Sequence, residues 1–108
     1  MTDETHRTIR IWQQNARKSL DMQLMTLHTA WNNYDIIFLQ EPHFDHLNAT
    51  YATPVWQLIT PTGWNRKDPT KKTPRVITLV HEHISTNSWT QIDLDMTDAV
   101  GIKIISEG

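Results

Sequence analysis

Asp35-Ile36-Ile37-Phe38-Leu39-Gln40-Glu41-Pro42 is the stretch on which the fold turns. Residues 36–40 form an apolar run, rich in β-branched and aromatic side chains and closed by a glutamine. Such a run predicts a strand buried on both faces. It stops on a carboxylate. Pro42 has no N–H for a ladder and biases the preceding residue toward extended geometry, so Glu41 is expected at the strand's carboxyl end as the chain leaves the sheet. In open α/β sheets that edge is where ligands bind.

Toward the amino terminus a second strand is predicted from about Thr8. Ile9 and Ile11 alternate with Arg10 and Trp12, and the run closes on Gln13-Gln14-Asn15, so Asn15 ends this strand much as Glu41 ends the other. Between them lies a helix, with Ser19 suited to its N-cap and Asp21 to its first turn. Leu20, Leu24, Leu27 and Trp31 fall on one face of a 3.6-residue period, flanked by Met25 and His28. Asn32-Asn33-Tyr34 breaks the pattern. Strand, helix and strand predict a right-handed crossover between parallel strands. Neighbouring strands lie about 5 Å apart, so Asn15 and Glu41 would converge if these two are neighbours.

Toward the carboxyl terminus the pattern is less regular. Residues 43–54 read as a loop holding His43 and His46, and residues 55–59 as a short strand stopped by Pro61 and Gly63. Residues 64–75 form a polar loop carrying Arg66, Lys67, Lys71, Lys72 and Arg75, five of the ten basic residues. Strands follow at 76–80, more weakly at 89–94, and at 99–105. Residues 1–8 read as a disordered polar tail and 9–108 as a single unit.

Composition sets the limits. A chain of 108 residues is one domain at most, and it is large enough to bury a core. Five tryptophans and five prolines against three glycines suit packed elements and stiff turns more than disorder. The absence of cysteine excludes disulfides, thiolate metal sites and a cysteine nucleophile. The polar first residues lack the pattern of a signal peptide, and the apolar runs are too short to span a bilayer. The expectation is an intracellular protein, nuclear or cytoplasmic, neither secreted nor membrane-bound.

The order of Gln13-Gln14-Asn15, an amphipathic helix opened by Lys18-Ser19, and Leu39-Gln40-Glu41-Pro42 at a strand end resembles the amino-terminal half of the endonuclease/exonuclease/phosphatase superfamily. The closest likeness is to the endonuclease domain of fungal non-LTR (LINE-like) retrotransposons, to which Arg75-Val76 opening a strand after a basic loop also conforms. The resemblance runs from residue 9 to residue 105. It implies an α/β fold, the amino-terminal half of a four-layer α/β sandwich, with a mixed sheet and a β-α-β start. It also implies a DNA-nicking endonuclease that hydrolyses phosphodiesters with Mg2+ or Mn2+. Glu41 would match the family's metal ligand and Asn15 the asparagine beside it, and magnesium's preference for hard oxygen ligands agrees. The family's later motifs, a catalytic tyrosine, a Gly-Asp-Phe-Asn-like stretch and a final Ser-Asp-His, have no match. The expectation is therefore a domain truncated at its carboxyl side, inactive alone, with an apolar sheet face exposed and open to self-association.

Plainer readings stand beside these. Glu41 is also a strand-end charge and Asn15 a turn former. The basic loop invites DNA phosphates, yet such loops are usually just solvated. His43 and His46 read as a surface pair. His81 and His83 would face one way on a strand and could bind zinc, but with no third ligand in view they read as exposed; Asp93, Asp95 and Asp98 read as a turn. The alternative function is a non-catalytic nucleic-acid- or protein-binding remnant, or another phosphodiesterase of the superfamily.

Overall fold

The computed structural model describes residues 9–68, 72–84, 88–92 and 99–104. The expected tail at 1–8, Lys71, and Asp93, Asp95 and Asp98 lie outside the described residues. The elements are β1 (Ile11–Asn15), α1 (Leu20–Ala30), β2 (Ile36–Gln40), β3 (Trp56–Ile59), β4 (Val76–His81), β5 (Trp89–Ile92) and β6 (Gly101–Ile104). The first four strands to be ordered across the main sheet run β1-β2-β4-β3, and β5 and β6 form a separate two-stranded ribbon. β1 and β2 are parallel neighbours with Asn15 opposite Gln40. β4 is antiparallel to both β2 and β3. The chain is thus α+β, with a four-stranded mixed sheet and a β-α-β start.

Strand β2 is central because its side chains leave water on both faces. Ile37 and Leu39 join Ile77 and Leu79 of β4, Trp56 of β3, Ala16, and Leu27 and Ala30 of α1 in one cluster. Burial of each large aliphatic chain there contributes about 1.5–3 kcal/mol. The Trp56 Nε1–H, buried in that cluster, donates to the Leu27 carbonyl at 3.3 Å and so ties β3 to the helix. On the other face, Ile36, Thr78 and Val80 are also buried. On that same face Phe38 and Val76 are only half-buried, so the apolar face is covered in part. The exposed large apolar side chains include Ile9 and Ile11 at the β1 edge, Leu58 on β3, and Ile92 and Ile104 on the ribbon.

Helix α1 starts as its sequence requires. Ser19 is the N-cap, its Oγ accepting the Met22 N–H at 3.2 Å, and Asp21 lies in the first turn. Its buried face, however, is Gln23, Thr26, Leu27 and Ala30, not the stripe through Leu20, Leu24 and Trp31. Trp31, at the C-cap, is 52% exposed. The helix is rotated because small Ala30 and the amide of Gln23 suit the space between sheet and loop better than a tryptophan ring does. No helix among the described residues is long and apolar enough to cross a membrane.

Candidate metal and phosphodiester site

The carboxyl ends of β1 and β2 share one edge of the sheet, so Asn15 and Glu41 meet there. Asn15 Nδ2–H donates to Glu41 Oε2 at 3.0 Å, across 26 positions of sequence. Asn15 Oδ1 accepts the Arg17 N–H at 2.8 Å. Glu41 is fixed through its backbone on both sides, its N–H donating to the Arg75 carbonyl at 2.7 Å and its carbonyl accepting the Lys18 N–H at 2.8 Å. Oε1 receives no hydrogen bond from a described residue, so half of the carboxylate remains open to a hard cation.

The backbone departs here from the sequence expectation. Glu41 is not extended: its φ is 49°, and Arg17 and Lys18 have φ of 51° and 60°. Left-handed backbone costs a non-glycine residue of order 1–3 kcal/mol and persists where surrounding contacts over-determine it. The two backbone hydrogen bonds of Glu41 supply that constraint and outweigh the bias from Pro42. Among the described residues, positive φ occurs at only one further non-glycine position, Asn48. The strain therefore concentrates where Asn15 and Glu41 meet.

Supporting contacts reach the site from both sides. Trp12 Nε1–H donates to Gln14 Oε1 at 3.2 Å, and Gln14 Nε2–H donates to the Asn15 carbonyl at 3.2 Å. Buried Gln23 holds the loop after Glu41, its Oε1 accepting the His43 N–H at 2.8 Å while its Nε2 donates to Thr50 Oγ1 at 2.9 Å and the Tyr51 carbonyl at 2.7 Å. The sequence signal for Gln23 was its place on one helical face with Leu27 and Ala30. Beside this loop is an open cleft of about 300 Å³ lined by Leu20, His43, Asp45, Thr50 and Tyr51, among others; neither Asn15 nor Glu41 lines it. Asp45 braces the loop by accepting the Ala49 N–H at 3.0 Å and the Leu47 N–H at 2.8 Å, and these bonds hold its carboxyl below the usual carboxylate value.

Topology brings Arg75 to the same edge. Because β3 and β4 are antiparallel, the loop between them leaves the sheet beside Glu41, and Arg75 is bound to Glu41 through its carbonyl. The side chains of the basic loop do not act as one group. Arg66 Nε–H donates to the Leu47 carbonyl at 3.2 Å, docking the loop at 43–54. Lys67, Lys72 and Arg75 are exposed. Arg17 and Lys18, which the sequence reading did not single out as anion-binding residues, are exposed and lie two and three residues after Asn15. Their signal was adjacency to the end of β1.

The remaining candidates separate. His43 is bonded through Nδ1 to the Lys18 carbonyl at 3.3 Å, while His46 is exposed. The expected exposure of His81 is overturned: it is 8% exposed, at the end of β4, with its ring edge-to-face against Trp56 at 5.0 Å. Among the described residues, no group of three or more histidines, aspartates or glutamates is arranged to hold a metal ion. No family model, curated protein or solved structure matches the chain.

Proposed function

We propose that this chain carries the asparagine–glutamate portion of a Mg2+- or Mn2+-dependent phosphodiesterase site, in a DNA-nicking endonuclease of the endonuclease/exonuclease/phosphatase type found in non-LTR retrotransposons. The observation that carries the reading is the 3.0 Å hydrogen bond from Asn15 Nδ2 to Glu41 Oε2 at the shared end of two parallel strands. In this reading the main sheet is one of two that face each other in a four-layer sandwich.

Glu41 supplies the hard oxygen ligand and Asn15 fixes which oxygen faces outward. A bound magnesium ion would supply charge stabilisation at the phosphate and the leaving oxygen. Arg17, Lys18, Lys72 and Arg75 draw the DNA backbone to this edge by neutralising phosphates. The hydrogen bond from the Asn15 amide commits one Glu41 oxygen and leaves the other open, which suits a cation that keeps most of its water.

One observation favours the second reading, a nucleic-acid-binding module without chemistry: the described residues place a single carboxylate at this edge, with no cluster of ligands around it. The two readings part in one experiment. Supercoiled plasmid is incubated with the purified chain and Mg2+ or Mn2+, alongside Glu41→Ala and Asn15→Ala. Metal-dependent nicking abolished by Glu41→Ala supports the enzyme. Salt-sensitive DNA binding that ignores both chelator and Glu41→Ala supports the module.

A further inference from the structure

The cleft beside the loop after Glu41 has no part in the proposed metal chemistry, yet its walls are fully built. Gln23 clamps two of them with one amide, its Oε1 accepting the His43 N–H and its Nε2 donating to the Tyr51 carbonyl. Thr50 Oγ1–H donates to the His43 carbonyl, and Phe44 and Thr50 pair as an antiparallel bridge. Asp45 braces the turn between them by accepting the Leu47 and Ala49 N–H groups on a single oxygen, Oδ1. The cleft is therefore formed before a ligand arrives, and little ordering cost falls on binding.

Its lining specifies a kind of ligand. Tyr51 is 57% exposed although it sits on a braced loop, which leaves aromatic surface open to a stacking partner. Asp45 Oδ2 receives no hydrogen bond from a described residue and is an open acceptor. The Lys18 carbonyl can only accept, so His43 Nδ1 carries the hydrogen of that bond, and in the neutral ring Nε2 keeps a lone pair. Leu20, Ala49 and Ala52 supply apolar wall. An open aromatic beside acceptors calls for a planar ligand that donates from its edge. The volume of about 300 Å³ agrees. It lies at the low end of ligand sites, roughly 300–1,000 Å³, which suits one ring system better than an extended molecule.

We propose that this cleft is a subsite for one unpaired nucleobase bearing an exocyclic amine, with Tyr51 stacking on the base and Asp45 Oδ2 accepting the amine. The inference rests on the DNA reading of the neighbouring edge, because a strand held there brings a base within reach. His43 is two residues from Glu41, at most about 7 Å along the chain. Stacking admits every base, since each has a π-face. The carboxylate then discriminates. Cytosine, adenine and guanine carry an amine, whereas thymine offers one N–H between two carbonyls, which a carboxylate repels. Asp45 is held below the usual carboxylate value, so the cleft keeps a negative charge that turns phosphate away. Phosphates are left to Arg17 and Lys18, exposed and just ahead of the lining residue Leu20.

The test is fluorescence anisotropy of labelled single strands with the purified full chain, in chelator so that no metal-dependent step contributes. Three strands of equal length are compared: oligo(dC), oligo(dT) and an abasic sugar-phosphate strand. Oligo(dC) is expected to bind tightest and the abasic strand weakest. Tyr51→Ala should weaken oligo(dC) binding roughly 5- to 150-fold, the loss of one base–aromatic stack, and leave the abasic strand unchanged, while Tyr51→Phe retains binding. Asp45→Asn keeps an oxygen for Leu47 and Ala49 and should erase the preference for oligo(dC) over oligo(dT). A Tyr51→Ala loss that is absent, or equal on all three strands, overturns the proposal. So does an unaltered chain that binds oligo(dC) no better than the abasic strand. Metal-dependent nicking and its loss in Glu41→Ala are read separately, so failure of the subsite is distinguishable from failure of the phosphodiesterase reading. Should a variant fail to fold, oligo(dC) is titrated into the unaltered chain by NMR. Amide shifts that begin within residues 43–52 support the subsite, and shifts that begin elsewhere overturn it.

Discussion

The two ends of β2 each present a carboxylate, and they use it in opposite ways. At the amino end, Asp35 is buried and both oxygens are engaged, by Arg10 and by His83. Burial alone would raise its carboxyl, but the Arg10 N–H, the hydrogen bond from His83 and the nearby Arg10 guanidinium together hold it below the usual carboxylate value. At the carboxyl end, Glu41 is half-buried, holds one side-chain hydrogen bond, and sits on left-handed backbone. A carboxylate with both oxygens answered is a structural anchor. One with an oxygen left over, on a backbone fixed at some cost, is poised toward something outside the chain.

That contrast breaks most readily at Asp35. Asp35→Ala strands the Arg10 N–H and the His83 ring, and it should cost about 3–5 kcal/mol in denaturant unfolding; a loss below 1 kcal/mol would show that the network carries little stability. Next in size is Gln23→Leu, which removes three hydrogen bonds between α1 and the loop after Glu41. A cost of about 2–3 kcal/mol is expected, together with faster proteolysis within residues 43–52.

Glu41→Gly sharpens the comparison from the other side. Glycine accepts a positive φ without penalty, so relief of about 1 kcal/mol of backbone strain should offset the lost bond to Asn15. Stability is expected to change by less than about 1 kcal/mol while any metal-dependent nicking disappears. A large destabilisation would instead make Glu41 an anchor like Asp35.

The smallest effect concerns Asp45, which is exposed. Its carboxyl is lowered in the fold, so its bonds to Leu47 and Ala49 are fully present above the unfolded aspartate's value and are lost as pH falls through the lower folded one. The amide proton shifts of Leu47 and Ala49 should titrate together, with a midpoint below that of an unperturbed aspartate. A midpoint at or above that value would remove the brace.

Much of the scaffold was legible along the chain, because apolar runs and caps act locally. The alternating and continuous runs located β1, β2 and β4, and Ser19 located the start of α1, since a strand's faces and a helix's first turn depend on residues only a few positions apart. The meeting of Asn15 with Glu41 was likewise foreseeable from two strand ends joined by a helix. The burial of His81 and the role of Gln23 were not. Gln23 is inside because His43, Thr50 and Tyr51 answer its amide, and those partners lie 20 to 28 positions away.

By itself the sequence determined a β-α-β start, an acid at the end of a buried strand and a loop rich in cations, all of them set by local spacing and side-chain chemistry. Only the tertiary structure decided which face of α1 is buried and that Glu41 takes a positive φ against the bias of Pro42. It alone decided that Asp35, His81 and His83 join into one network. Each of these depends on hydrogen bonds between segments far apart along the chain, whose partners the linear order does not specify.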